Sequence, residues 1–241
     1  MRTQILKLAA VCAVYGSMAA IPAYAADDEA AAEEEAEGPI TVSGGIALVS
    51  DYRFRGVSLS DKDFAVQPTL TIKHESGLYV GVWGSNITSN PGDDLEVDLY
   101  AGFAGGDTVT YDIGATYYVY PGISSLNYVE VTGKLGTTVG PVTVGGQLSY
   151  APSQSNIGGT DNIYVGGTAS IGIPNTPITL TSSLGYEDGA FGNNKVDWSL
   201  GANASFSGFT LGVAYVDTNR NSTFALGDSK ATAVATLSYA F

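Results

Sequence analysis

From Pro39 to Phe241, apolar and polar residues alternate with a period of two in stretches of about 8 to 12 residues, the pattern of strands that meet lipid on one face. The first stretch is the clearest. Ile40, Val42, Gly44, Ile46, Leu48, Tyr52 and Phe54 fall on one face; Thr41, Ser43, Gly45, Asp51, Arg53 and Arg55 fall on the other. The alternation recurs at Phe64–His74, Leu78–Asn86, Leu95–Phe103, Val109–Tyr120, Tyr128–Thr137 and Val142–Ala151. It continues at Ile163–Ile173, Ile178–Glu187, Val196–Phe206, Phe209–Asp217 and Ala231–Phe241. These runs predict an all-β fold, a transmembrane antiparallel up-and-down β-barrel of about 12 strands. An even number places both termini on one side of the membrane.

The connections sort in the same sense. Short links are expected at Glu75-Ser76-Gly77, Gly105-Gly106, Gly140-Pro141, Pro174–Pro177 and Ser207-Gly208. Longer polar links are expected at Gly56–Asp63, Ile87–Asp94, Pro121–Asn127, Pro152–Asp161, Asp188–Lys195 and Thr218–Lys230. Long and short alternate strictly, as outer loops and periplasmic turns of a membrane barrel do. Aromatic residues fall at strand ends. Tyr52, Phe54, Tyr150, Tyr186, Trp198 and Tyr215 are expected near the outer interface; Phe103, Tyr111, Phe206, Phe209, Tyr239 and Phe241 near the periplasmic one. Pro68 disagrees, because a closed barrel has no free edge for a residue without an N–H donor. A bulge or a shorter strand would resolve it.

The amino terminus fixes the compartment. Arg2 and Lys7 precede a short apolar stretch, Leu8 to Ala20, and Ala23-Tyr24-Ala25 offers a cleavage site. This is the form of a signal peptide over residues 1–25, cleaved near Ala25, and the stretch is too short for a membrane helix. Cys12, the one cysteine, lies within it, so the mature chain is expected to have no disulfide and no thiolate metal site. Residues 26–38 carry the acidic run Asp27 to Glu37, a self-repelling leader expected to be disordered. Residues 39–241 form the barrel. Only 14% of the chain is charged against 44% hydrophobic, with 31 glycines, which suits a lipid-facing wall better than a soluble domain. The net charge of −14 argues against nucleic-acid binding.

Ile46-Ala-Leu-Val-Ser-Asp-Tyr-Arg-Phe-Arg-Gly-Val-Ser-Leu-Ser60 resembles the start of the barrel in the TorF family of bacterial porins, and His74-Glu-Ser-Gly-Leu-Tyr-Val-Gly-Val-Trp-Gly-Ser-Asn86 resembles its second block. The resemblance implies an outer-membrane channel of a Gram-negative envelope and supplies no catalytic motif. The final strand, with Leu237, Tyr239 and the carboxy-terminal Phe241 on one face, resembles the signal read by the barrel-assembly machinery.

Parity assigns the candidate chemistry. If the apolar faces meet lipid, Asp51, Arg53, Arg55, Lys73, Glu96, Asp98, Asp112, Glu130, Lys134 and Asp197 line a lumen, since a charge facing lipid near the midplane costs several kcal/mol. Arg53 and Arg55 would stand roughly 7 Å apart on one face. They are expected to face Glu96, Asp98 and Asp112 across a constriction, or else to be ion-paired wall residues of a nearly filled lumen. A three-residue turn at Ala104-Gly105-Gly106 would set Asp98 opposite Asp112, a pair that would need a cation between them. The acidic balance predicts cation preference.

Catalysis has little to stand on. His74 is the one histidine and sits beside a periplasmic turn, and no nucleophile and orienting group can be assigned to it. No cofactor and no metal are expected. The function expected is a channel for passive diffusion of small solutes or ions. The alternative is a non-conducting barrel serving as an envelope scaffold or surface-interaction protein. The expected partners are outer-membrane lipid, the assembly machinery and the solutes.

Overall fold

The computed structural model describes residues 39–90, 93–219 and 228–241. The expected signal peptide and acidic leader, residues 1–38, lie outside the described residues. The strands are β1 (Ile40–Val49), β2 (Arg53–Phe54), β3 (Val57–Ser58), β4 (Ala65–His74), β5 (Leu78–Asn90), β6 (Asp93–Gly105) and β7 (Val109–Val119). They continue with β8 (Tyr128–Val139), β9 (Val142–Ala151), β10 (Asn162–Gly172), β11 (Ile178–Gly189), β12 (Lys195–Phe206), β13 (Phe209–Thr218) and β14 (Thr232–Ala240). All but β2 and β3 form one closed antiparallel barrel of twelve strands, each paired with its neighbour in sequence and closed by β1 on β14. The small hairpin β2–β3 stands apart from the wall.

Closure satisfies the backbone. β1 pairs with β14 from Gly45↔Ala240 to Val49↔Thr236. Two bonds of 3.0 Å between Gly44 and Phe241 extend the seam by one residue, so the last residue of the chain is part of the wall. The Phe241 ring lies on the outer face against Gly44, which has no Cβ to obstruct it. Leu237, Tyr239 and Phe241 all point outward.

The turns follow local chemistry. Ser207 and Gly208 have φ of 49° and 80° between the paired Phe206 and Phe209, the two-residue turn whose twist matches that of the strands it joins. Pro68 is accommodated by shortening one ladder. β4 pairs with β1 past Pro68 up to Ala65, but with β5 only from Lys73 to Thr69. Above Thr69 the Asn86 side chain takes over, accepting from Val66 N at 2.8 Å and donating to Phe64 O at 3.0 Å.

Two expectations are corrected here. The link expected at Ile87–Asp94 is mostly strand: β5 and β6 run on to Asn90 and Asp93, with a register shift between Asn86 and Asn90. The first strand ends at Val49 rather than running through Phe54. Residues 50–64 turn into the barrel, so Tyr52, expected at the outer interface, is buried inside, and Phe54 packs against the inner wall.

Outward positions are mostly aliphatic or aromatic, as in Leu78, Val80 and Val82, whereas Tyr79 and Trp83, which alternate with them, are buried inside. Inward tyrosines lie over glycines of the next strand. Tyr100 covers Gly81, and Tyr79 covers Gly102, its direct partner across the ladder. Each ring fills the space that the missing side chain leaves, a known support for glycine in sheets. Gly81→Val would therefore drive a side chain into the Tyr100 ring. A cost of about 1–3 kcal/mol is expected, seen as a lower temperature for loss of the compact band on unheated gels. Gly133 points outward with nothing within 4 Å of an added Cβ, so Gly133→Val should leave that temperature unchanged.

Candidate functional site

The site is the barrel interior where the segment 50–64 crosses it. The segment leaves the wall at Ser50, whose N–H and Oγ bond to Ala235 of β14 at 2.9 Å each. It forms the hairpin β2–β3 with Arg55 and Gly56 at its tip, at φ of 48° and 84°. A Cβ on Gly56 would meet the side chains of Thr218 and Asp197, so only glycine lets the tip rest on β12 and β13. The segment then pairs with the upper part of β5, where β4 has turned away, through Thr88 N to Leu59 O at 2.8 Å. The break at Pro68 thus opens the place where the segment docks.

Aromatic contacts hold its flank. Tyr52 meets Trp83 edge to face at 5.3 Å between centroids, and Phe54 meets Tyr118 in the same way at 6.2 Å. Tyr118 in turn stacks on Tyr128 at 4.4 Å.

Charge holds the tip. Arg55 donates to both carboxylate oxygens of Glu130 on β8, at 2.7 and 2.8 Å, and to Glu187 on β11 at 2.6 Å. Its guanidinium lies 4.2 Å from the Tyr164 ring centroid and 4.6 Å from that of Phe54. Lys195 on β12 donates to the Arg55 carbonyl at 2.6 Å and pairs with Glu187 at 2.8 Å; Asp197 lies 3.9 Å away. Arg53 pairs with Asp51 at 2.6 Å, and its Nη1 donates to the carbonyls of Gly56, Asp228 and Lys230. At the mouth, Lys62 pairs with Asp228 at 2.6 Å, and that hydrogen bond holds the Asp228 carboxyl below the usual carboxylate range.

Lys73, Glu96, Asp98, Asp112, Glu130, Lys134 and Asp197 occupy inward positions of the wall, whereas Asp51, Arg53 and Arg55 lie on the segment that leaves the wall after Val49, and the expected arrangement is not formed. Arg53 and Arg55 do not share a strand face, because the chain reverses at Arg55. Arg55 meets Glu130 and Glu187 rather than Glu96, Asp98 and Asp112. Tyr52 reaches Glu96 through its hydroxyl at 2.7 Å. Asp98 does not oppose Asp112, because the β6–β7 turn lies further along the chain. Asp98 is across from Tyr118 and Asp112 across from Ala104. Asp112 instead stands beside Lys134 in the β7–β8 ladder and accepts from Tyr79 at 2.8 Å. Lys73 is half-buried near the β4–β5 turn. Asp98 is fully buried, and neither of its carboxylate oxygens has a hydrogen-bond partner among the described residues.

Glu187, Lys195, Asn162 and Asn203 are inward residues that the sequence reading did not single out. Glu187 was legible, since it neighbours the outward Tyr186; Lys195 was assigned to a link and instead opens β12. Asn162 donates to Glu187 at 3.1 Å and accepts from Phe191 N at 3.0 Å. Of the inward-facing charges described, seven are acidic (Asp51, Glu96, Asp98, Asp112, Glu130, Glu187, Asp197) and five basic (Arg53, Arg55, Lys73, Lys134, Lys195).

Solved structures share this fold. The KdgM porin aligns with a TM-score of 0.56 at 10% identity, over 83% of this chain and 99% of that chain. A KdgM porin in complex with disordered oligogalacturonate gives 0.55 at 9%, over 83% and 98%. The NanC porin gives 0.53 at 12%, over 83% and 99%. No curated protein matches by sequence. Residues 33–241 match the family described as "Bacterial protein of unknown function (Gcw_chp)", and the chain belongs to that family.

Proposed function

We propose that the protein is an outer-membrane channel for passive diffusion of small solutes or ions, with a preference for cations. The observation that carries this reading is a closed barrel, apolar outside, whose interior is ionic and hydrogen-bonded and is narrowed by an inward hairpin. The likeness to the KdgM and NanC porins and the resemblance of residues 46–60 and 74–86 to TorF porins support it. Outer-membrane lipid would cover the apolar belt, and the assembly machinery would read Leu237, Tyr239 and Phe241. Oligogalacturonate, present with KdgM in one structure, is a polycarboxylate. The acidic surplus of this interior disfavours that class and favours cations and neutral solutes. The full chain, refolded and inserted in a planar bilayer under a salt gradient, should pass discrete currents that reverse on the cation side. Replacing Arg53–Ser60 by two glycines should raise the conductance severalfold; a silent barrel in both forms would sink the channel reading.

One observation favours the alternative, a non-conducting scaffold: the hairpin is fastened. Arg55, Glu130, Glu187 and Lys195 are all under 5% exposed in their side chains. Removing one partner from such a group leaves the others buried without compensation, at a cost of about 3–5 kcal/mol. Arg55→Met should release the hairpin and expose the buried Arg53 to trypsin in the folded barrel. Adding Glu187→Gln should recover part of the protection. If conductance rises with release while the wild-type chain is silent, the fastened hairpin is a plug.

A further inference from the structure

Around the crossing segment, Asp51, Glu96, Asp98, Glu130, Glu187 and Asp197 are buried, against Arg53, Arg55 and Lys195. Each of these cations is engaged. Arg53 pairs with Asp51, Arg55 with Glu130 and Glu187, and Lys195 with Glu187 and, at 3.9 Å, with Asp197. Asp98 is left over. It is 0% exposed, and among the described residues its carboxylate oxygens have neither an ion pair nor a hydrogen-bond partner.

Its surroundings disfavour a second negative charge. The titratable groups within electrostatic reach of Asp98 are Glu96 on its own strand, Glu130 on β8, Tyr118 on β7, Tyr120 just past it, and Tyr52 on the crossing segment. None of these groups is a cation, and β5 contributes the uncharged Trp83 across the ladder. Glu96 stands two residues away on the same inward face, roughly 7 Å along the strand, and neighbouring carboxylates in a dry interior resist joint ionisation. Glu96 is the one served as an anion, since it accepts the Tyr52 hydroxyl at 2.7 Å. Glu130 is held by Arg55 at both oxygens. A buried carboxyl with neither donor nor cation takes a proton instead.

Asp98 also lies at the root of the hairpin's aromatic flank. It is directly across from Trp83 on β5 and from Tyr118 on β7. Those are the wall rings that receive Tyr52 and Phe54. We propose that Asp98 is a proton-binding site that keeps the crossing hairpin seated. The hairpin closes over a neutral carboxylic acid. Loss of that proton to solvent leaves an uncompensated charge between Trp83 and Tyr118 and beside Glu96, and the Tyr52–Phe54 flank lets go. A proton bound more tightly in the seated form favours that form at low pH and less as pH rises. The Lys62–Asp228 pair at the mouth has the opposite sign, because it needs an ionised Asp228 and is lost in acid. The direction of the pH change therefore tells the two apart. Any effect on conductance rests on reading the barrel as a channel that the hairpin narrows; the proton site does not.

The test uses the full chain refolded in detergent micelles, with ¹³C in its aspartate carboxyls and fluorotryptophan at Trp83 and Trp198, the two tryptophans of the chain. At neutral pH the infrared spectrum should contain a ¹³C-shifted band of protonated carboxyl, and Asp98→Asn should abolish it. As pH rises, that band and the ¹⁹F signal of Trp83 should change together. The release constant should rise at most about tenfold per pH unit, as one proton requires. Trp198, beside Tyr215 and across from the outward Leu184, is the internal control and should stay fixed. Absence of the band at neutral pH, its survival in Asp98→Asn, or a Trp83 signal that does not follow it would each overturn the proposal. Should Asp98→Asn not refold, agreement between band and Trp83 in the wild-type chain decides alone. Planar-bilayer current over the same pH range separates the two levels. Band and Trp83 titrating together without current removes the channel reading alone, and current without the band removes the proton site alone.

Discussion

A backbone placed in hydrocarbon must find all its hydrogen bonds within the protein, and the rest of this structure follows from how the chain meets that demand. The sheet has to close, and it closes at β1 and β14, with Phe241 bonded to Gly44 as the final rung. Closure fixes which face of each strand is outside. With the outer face apolar, the charges along the strands are sent inward, except at strand ends, where Asp188 and Asp217 are in phase with the outward Tyr186 and Tyr215. A barrel of twelve strands then holds carboxylates and cations in a narrow space, where each must be paired or hydrated.

The crossing hairpin is a response to that confinement. Glu130 and Glu187 stand on separate wall strands and would be uncompensated acids without a cation between them. Among the described residues, the wall cation that ion-pairs with either acid is Lys195, which reaches Glu187. Arg55, carried across the interior from the far wall, serves both acids at once. Buried pairs of this kind contribute little net stability, since desolvation offsets attraction, but they tolerate few other geometries. They therefore place the hairpin more than they stabilise the barrel. The lower interior, with Asp112 beside Lys134, is compensated within the wall itself and needs no crossing segment.

The wall was legible in the sequence because a period of two with one apolar face has few alternatives. The strands from Ile40 to Ala240 fall within a few residues of the runs that predict them. The hairpin was not legible, for a specific reason. Ser50 to Phe54 continue the alternation of β1, and Tyr52 and Phe54 are in phase with its outward residues, so parity alone extends the strand. The contrary cue is local: Arg55-Gly56 is a turn dipeptide, and charged residues crowd on either side of it. Once the chain reverses there, the expected grouping of Arg53 and Arg55 against Glu96 and Asp98 no longer holds. The Asp98–Asp112 pairing failed on turn position, to which register is acutely sensitive. Tyr79, Tyr100 and Tyr118 alternate with Val80, Leu99 and Tyr117, which marks them as inward, even though Tyr79 and Tyr118 stand beside strand ends, where interfacial rings are expected.

Those inward tyrosines also decide where any route through the barrel can run. A ring over a glycine of the next strand lies along the wall and thickens it, as Tyr100 does on Gly81. On β5 to β10 this happens repeatedly, and the aromatic flank of the hairpin, Tyr52 and Phe54, packs against that same side. On β12 and β13 the corresponding glycines, Gly201 and Gly212, have no ring laid over them. Their neighbours are the short side chains of Ala214, Thr181 and Asn203, and the space they leave is the cavity beside Arg53. The least filled part of the interior at the level of the hairpin therefore lies off the barrel axis, between Arg53 and the small-residue wall.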